Sequence, residues 1–192
     1  YLPRTFLVNL MNGMRLNIWY DWINDGPDPK DGEHNFGTLY LDRTAKPAYH
    51  AARTLARELE GYSFITRLYS DSEDDYLLLF GRGDDYRLAA WTTAKPHKIK
   101  TPVDVTKFDV VSHTGTRSQV ESKDGALEIE LSGGPKYIQP AAKSKRWAVE
   151  AGWKIDTRTA LLDGASVNIS SEIGDVDADG KMSVSGRGLN SA

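Results

Sequence analysis

Apolar residues recur along the chain first at helical spacing and later at the spacing of strands. Between Leu2 and Met11 they return every three or four positions, which predicts an amphipathic helix, and Asn12-Gly13 supplies its stop signal. The next segment, residues 14–22, is rich in residue types that favour extended structure and predicts a strand. A polar loop with several glycines and prolines follows over residues 24–37.

A second helix is predicted to begin at Lys46-Pro47-Ala48-Tyr49 and to end at Gly61. Its proline lies in the first turn, where the missing amide hydrogen costs nothing. One face is apolar and must be covered by another part of the molecule: Tyr49, Ala52, Leu55, Ala56 and Leu59. Helix, strand, loop and helix are the pattern of one unit of a (β/α)8 barrel with the preceding helix attached, so residues 1–61 are assigned to such a barrel.

From Tyr62 onward short apolar runs alternate with clusters of turn residues, which is the all-β pattern. Lys123-Asp124-Gly125 is a tight-turn signal. The predicted strands cover residues 64–69, 76–80, 86–92, 108–112, 126–131 and 137–138. The fold class is therefore mainly β: an antiparallel β-sandwich over residues 62–142, preceded by a helix-strand-helix remnant of the barrel. Residues 143–192 predict further strands or the start of an incomplete module.

Composition narrows the possible partners and chemistry. Cysteine is absent, which excludes a disulfide scaffold, a thiolate metal site and a cysteine nucleophile. The net charge of −3 arises from mixed signs, so no broad basic field attracts nucleic acid or anionic lipid. No stretch approaches the about 18 apolar residues of a spanning helix. We therefore expect neither a nucleic acid nor a membrane as partner.

Four short motifs, taken in order, resemble the end of the catalytic barrel in clan-A glycoside hydrolases, especially families 39 and 5. They are Trp19-Tyr20-Asp21-Trp22, Asp25-Gly26-Pro27-Asp28-Pro29, Glu33-His34-Asn35-Phe36-Gly37 and Lys46-Pro47-Ala48-Tyr49. The later segment from Ser132 to Ile138 is similar to the accessory sandwich that follows such barrels. The resemblance spans about residues 1–140.

This resemblance implies the carboxyl-terminal portion of a bacterial enzyme, secreted or periplasmic, that acts on a polysaccharide or oligosaccharide. It also implies that the remainder of the barrel is a partner, and that both catalytic carboxylates lie before Tyr1, at the ends of the fourth and seventh strands. A retaining glycosidase needs two carboxyl groups about 5–5.5 Å apart around the scissile bond. One βα unit is not expected to supply that pair. We therefore predict no catalytic residue in this chain and no hydrolysis by it alone.

Four residues are the predicted substrate-binding set: Trp19, Asp21, Trp22 and Glu33. Barrel enzymes place their sites at the carboxyl ends of the strands, where 19–22 would lie. Indole rings stack on the flat C–H faces of sugars, and carboxylates pair with hydroxyls. Because a strand alternates its side chains, Trp19 and Asp21 share one face and Tyr20 and Trp22 share the other, so at most one of these pairs faces the barrel interior. The alternative is that one tryptophan is core and that Glu33 caps the loop.

The remaining motifs give weaker predictions of a binding site. Asp175, Asp177 and Asp179 match the first oxygens of a calcium loop, but Gly186 stands where a bidentate carboxylate is required. A hairpin turn is the alternative there, so no cofactor is predicted and calcium is a weak candidate. The four histidines lie far apart in the sequence, without zinc-ligand spacing. The later tryptophans, Trp91, Trp147 and Trp153, are either a flat sugar platform or sandwich core.

Two rival functions stay open at this point. The chain is alternatively a non-catalytic carbohydrate-binding module, or a structural β module of the cell surface. A binding module should retain glycan affinity when residues 1–61 are removed, and a structural module should show none with or without them.

Overall fold

The computed structural model describes residues 1–14 and 16–141. Two α-helices occur in this part, α1 (Leu2–Met11) and α2 (Pro47–Leu59), together with a single 3₁₀ turn at Glu33–Asn35. Helix α1 ends before Gly13, whose φ of 71° is the left-handed conformation that glycine adopts without strain. Helix α2 begins with its proline in the first turn. Both helices therefore begin and end where the sequence predicts.

Eight strands follow within the described residues, all of them after residue 62. They are β1 (Ser63–Arg67), β2 (Asp75–Arg82), β3 (Asp85–Thr92), β4 (His97–Pro102), β5 (Lys107–Ser112), β6 (Arg117–Glu121), β7 (Ala126–Leu131) and β8 (Lys136–Pro140). Six of them form one antiparallel sheet in the order β1-β2-β3-β8-β5-β6, and β4 pairs with β7 in a second, two-stranded sheet. The predicted fold class, mainly β with antiparallel sheets and two helices, is confirmed.

The turn between β6 and β7 connects the two sheets. Asp124 and Gly125 both have positive φ, 52° and 70°, and the amide and carbonyl groups of Lys123 and Ala126 bond reciprocally across them. Two central residues in the left-handed region define the type I′ turn that an Asp-Gly pair favours. The tight turn predicted here is therefore present.

The six-stranded sheet is covered on both faces, because successive residues of each strand point to opposite sides. In β2, Leu78 and Phe80 belong to a cluster that includes Leu55 and Leu59 of α2. Leu77 and Leu79, which alternate with them and point to the other side, belong to a second cluster that includes Leu127, Ile129 and Leu131 of β7. The helices thus share one hydrophobic core with the large sheet, and the small sheet closes its other face.

The structure differs from the sequence prediction in three segments. Residues 16–22 form no regular strand, because no backbone in the described part of the chain pairs with residues 16–20. Strands β4 and β6 were not predicted. Their polar composition hides the signal: β4 alternates Ile99 with two lysines, and β6 contains one apolar residue, Val120. Pairing with a neighbouring strand, and not hydrophobicity, makes these two segments extended.

A buried carboxylate links the helical layer to the sheet. Glu58 of α2 accepts hydrogen bonds from Arg87 of β3 at 2.8 Å and from Arg117 of β6 at 2.7 Å. Arg87 also donates to Gln139 of β8 and lies over the Tyr62 ring. The Glu58 side chain is 6% exposed, so water screens this cluster little. Helix α2 is therefore fixed to two strands, β3 and β6, by charge, in addition to its apolar packing on the sheet.

A second polar pair joins the two sheets. Nε2 of His97 in β4 lies 3.1 Å from Oδ2 of Asp75 in β2, and its Nδ1 lies 3.0 Å from the Lys95 carbonyl. The Lys95 carbonyl, and after it the Asp75 carboxylate, raise the pKa of His97. A raised pKa in the folded state means that the protonated imidazole stabilises the fold.

The stabilisation by His97 is expected to depend on pH. It is fully present below the unfolded-state pKa of about 6.5 and is lost as the pH rises through the folded-state pKa. The free-energy difference between wild type and His97→Gln, measured by urea denaturation across this range, should therefore shrink with rising pH. In an Asp75→Asn background the pH-dependent part should be smaller. A difference that grows with pH would contradict this assignment.

Candidate functional site

The segment that carries the predicted substrate residues is held by the loop that returns beside it. The Asp21 amide donates to the Phe36 carbonyl at 3.3 Å, and the Thr38 amide donates to the Asp21 carbonyl at 3.0 Å. The Leu39 amide then donates to the Trp22 carbonyl at 2.9 Å. Residues 21–24 and 36–39 therefore run side by side and place the intervening loop next to Trp19 and Tyr20.

Three aromatic side chains at this point are open to solvent. Trp19 is 37% exposed and its Nε1 donates to the Phe36 carbonyl at 3.2 Å. Tyr20 is 62% exposed, and its ring meets the edge of the exposed Phe36 ring at 6.3 Å. We call Trp19, Tyr20 and Phe36 the aromatic surface. Three exposed aromatic rings on adjoining backbone segments are a suitable face for the C–H side of a sugar.

Carboxylates lie beside the aromatic surface. The Tyr20 hydroxyl donates to Oδ2 of Asp25 at 2.7 Å. This hydrogen bond raises the pKa of Tyr20, and the charges of Asp25, Asp21 and Glu33 act in the same direction. The Asp21 and Glu33 carboxylates therefore lie close enough to Tyr20 to affect its ionisation. The sequence predicts this arrangement for Trp19 and its neighbours: an aromatic ring beside carboxylates that accept hydrogen bonds from hydroxyl groups.

The four predicted residues do not share one environment. Trp22 is partly buried and packs edge-to-face on Tyr49 of α2, with ring centroids 5.7 Å apart. Asp21 is partly buried and accepts from the Trp22 amide through Oδ1. Glu33 is exposed in the 3₁₀ turn, where its amide donates to Asp31. Trp19 and Glu33 are thus open to a ligand, whereas Trp22 supports the segment from behind.

Sequence reasoning placed Tyr20 on the same side as Trp22 and left Asp25 and Phe36 out of the site. That placement assumed strand alternation. Because no strand forms here, Trp19 and Tyr20 are both exposed although they are adjacent in sequence. Asp25 and Phe36 could have been found as neighbours only from the return path of the loop.

Lys46 anchors this loop from the start of α2. Its ammonium group donates to Oδ1 of Asn24 and, at 3.0 Å, to the Asn35 carbonyl. Nδ2 of Asn24 donates to Oδ1 of Asn35 at 3.2 Å, and Nδ2 of Asn35 donates to the Asp31 carbonyl at 2.6 Å. Burial lowers the pKa of Lys46. The lysine that opens the second helix therefore also fixes the loop beside the aromatic surface.

Gly37 lets the two backbone segments approach each other. A Cβ at this position would lie 2.2 Å from the Asn24 amide nitrogen and 2.4 Å from the Ile23 carbonyl carbon. Any side chain would force the loop away from residues 21–24. Phe36 thus provides an exposed ring, and Gly37 next to it allows the close contact between the two backbone segments.

The structure describes some of the remaining residues that the sequence suggested as sites. Trp91 is 1% exposed and stacks on Tyr76 inside the core, so it is not part of a sugar platform. Trp147, Trp153 and the calcium candidates Asp175, Asp177 and Asp179 lie outside the described residues. Within residues 1–14 and 16–141, no three histidine, aspartate or glutamate side chains are grouped so as to hold a metal ion. No helix in the same part of the chain is long and apolar enough to cross a membrane.

Comparison with solved structures identifies the relationship. The chain is similar to a family 39 glycoside hydrolase from the gut symbiont Bacteroides cellulosilyticus WH2, with 33% identity and a TM-score of 0.65 over 73% of this chain. The glycoside hydrolase relationship is confirmed. The chain spans 29% of the length of that enzyme, so the match concerns a part of it.

Two other glycoside hydrolases give weaker likenesses. A family 30 endoxylanase from Clostridium papyrosolvens C71 matches 55% of this chain and 31% of its own, at 12% identity and a TM-score of 0.44. A family 30 subfamily 8 xylanase from Clostridium acetobutylicum matches 57% of this chain and 32% of its own, at 12% identity and a TM-score of 0.40. No family model matches the sequence, and no curated protein matches it significantly.

Proposed function

We propose that this chain is the carboxyl-terminal portion of a secreted glycoside hydrolase that acts on polysaccharide. In this proposal residues 1–61 contribute part of the substrate cleft, and the sandwich supports the barrel. The observation that carries it is the aromatic surface, exposed beside Asp21, Asp25 and Glu33 on a loop fixed by Lys46. The relationship to a family 39 enzyme supports a carbohydrate as the ligand.

Each residue has a distinct role in this proposal. Trp19 and Tyr20 stack on sugar rings, while the carboxylates of Asp21 and Glu33 accept hydrogen bonds from hydroxyls. Trp22 positions the segment through its contact with Tyr49. None of these residues is assigned a catalytic role, and hydrolysis is proposed to need carboxylates from the rest of the parent enzyme.

The supporting role of the sandwich follows from the shared core. Leu7, Leu10, Leu55 and Leu59 of the two helices pack with β2 and β3 in one cluster. Removing residues 1–61 would expose this face of the sheet to water. A free-standing carbohydrate-binding module would not need such a cover, so the shared core favours the supporting role. We expect the truncated chain to be unstable, which makes single substitutions the better test of glycan binding.

The test is binding of the intact chain to soluble and insoluble polysaccharides, with reducing sugar measured in the same tubes. We expect binding without hydrolysis, and a loss of affinity of about tenfold in Tyr20→Ala when one stacking ring is removed. Tyr1→Ala is the matched control, because Tyr1 is exposed and lies outside the aromatic surface. Both variants should melt like the wild type.

Three results would count against this function. Equal loss of affinity in the two tyrosine variants would show that the aromatic surface is not the binding face. Absence of binding to every polysaccharide would favour a purely structural module. Release of reducing sugar by the chain alone would show that it contains an acid pair of its own.

A further inference from the structure

A groove lies on the sandwich, between the segment that follows β1 and strand β4. Its volume is about 780 Å³, within the range of ligand sites. It shares no residue with the aromatic surface or its acidic neighbours. The lining combines an aromatic ring, apolar groups and polar groups, and includes Leu68, Tyr69, Asp75, His97, Lys98 and Lys100.

Tyr69 supplies a stacking face. Its side chain is 47% exposed at the groove, while Leu68 and Leu77 beside it are buried. An exposed phenol ring above an apolar floor presents a flat surface with a polar tip. This combination suits a ligand that has both C–H faces and hydroxyl groups.

One wall of the groove is the edge of β4 that faces away from β7. Among the described strands β4 pairs with β7 alone, and alternate residues of an antiparallel strand point their amide and carbonyl groups toward and away from the partner. The Val103 amide bonds to the Gly125 carbonyl at 2.9 Å, which fixes the alternation. The backbone groups of Lys98 and Lys100 therefore point away from β7. Within the described residues, these amide and carbonyl groups make no hydrogen bond.

Asp75 adds a buried carboxylate. Its side chain is 1% exposed, and its Oδ2 accepts from Oγ of Ser70 at 2.8 Å and faces Nε2 of His97 at 3.1 Å. Its Oδ1 has no hydrogen-bond partner in the described part of the chain. A buried acceptor without a donor costs free energy, and Asp75 contributes to the groove by holding Ser70 and His97 in place.

We propose that this groove binds a neutral oligosaccharide. A sugar ring stacks on Tyr69, and its hydroxyls bond to the backbone of Lys98 and Lys100. A saccharide fits better than an added peptide strand, because the free edge is short and ends at Pro102, which has no amide hydrogen. This second site goes beyond the proposed function and does not depend on it.

The test is a titration of the full chain with xylohexaose and with cellohexaose, followed by amide chemical shifts in two-dimensional NMR. At least one sugar should shift amides in residues 68–72 and 97–101. In Tyr69→Ala the Kd should rise by about tenfold at this group of amides. Trp19→Ala is the control, since it removes an aromatic ring outside the groove and should leave these shifts unchanged.

Each other outcome overturns the proposal. If neither sugar shifts these amides, the groove is not a saccharide site. If Trp19→Ala removes the shifts and Tyr69→Ala does not, the sugar binds at the aromatic surface, which supports the proposed function and rejects the second site. If an acidic, strand-forming peptide shifts the amides of Lys98 and Lys100 and the sugars do not, the edge binds peptide.

Discussion

Leu55→Asp is expected to unfold most of the chain. Leu55 is 1% exposed and packs with Leu59, Leu78 and Trp91 between helix α2 and the large sheet. Truncating a buried leucine to alanine alone costs about 2–5 kcal/mol. Aspartate adds an unpaired buried charge, and a domain is stable by only about 5–15 kcal/mol in total. Circular dichroism with urea denaturation should show a lost or strongly lowered transition.

Leu16→Asp is the matched control, because Leu16 is 72% exposed. Its free energy of unfolding should stay within about 0.5 kcal/mol of the wild-type value. If Leu55→Asp instead unfolded at the wild-type urea concentration, α2 would be peripheral. The shared core of helices and sandwich, and with it the supporting role, would then be wrong.

Glu58→Ala is expected to lower the free energy of unfolding by about 3–5 kcal/mol. Glu58 is buried and accepts from both Arg87 and Arg117, and the Arg87 side chain is only 12% exposed. Removing the carboxylate leaves the Arg87 guanidinium charged and desolvated, with the backbone carbonyl of residue 58, Gln139 and the Tyr62 ring as its remaining contacts. The loss should therefore exceed that of a surface ion pair several-fold.

Glu128→Ala provides that comparison. Glu128 pairs with Lys98 at 2.7 Å, but both side chains are largely exposed, and such pairs contribute under about 1 kcal/mol. The two variants, measured by urea denaturation at one pH and salt concentration, should differ clearly. Similar losses would show that the buried cluster does not fix α2 to the sheet. Glu58→Gln, which keeps the shape and removes the charge, should fall between wild type and Glu58→Ala.

Prediction from sequence succeeded where local physical rules suffice. Helices α1 and α2 follow apolar periodicity, with Gly13 as a stop and Pro47 in a first turn. The run at β2 is apolar on both faces, which is typical of a central strand, and β2 is buried from two sides. The motifs between Trp19 and Tyr49 resemble those of glycoside hydrolases, and this resemblance can be seen without the fold.

The sequence could not show which side chains meet. Four of the six residues of strand β4 are polar, two of them lysines, so only its pairing with β7 makes it recognisable as a strand. Residues 16–20 have strand-favouring composition without a pairing partner in the described chain, and composition alone does not make a strand. The alternation rule therefore misassigned Tyr20, which lies exposed beside Asp25 and Phe36.

The sequence by itself determined the two helices, most of the strands, the tight turn at Asp124-Gly125 and the relationship to glycoside hydrolases. The helices, strands and turn depend on neighbours along the chain, through periodicity, a glycine or a proline, whereas the relationship depends on the resemblance of motifs in their order. Only the tertiary structure decided that Glu58 meets Arg87 and Arg117, that Lys46 fixes the loop beside Tyr20, and that Asp75 lies in a groove with His97. These contacts join residues far apart in sequence, and chain folding alone sets the distances between them.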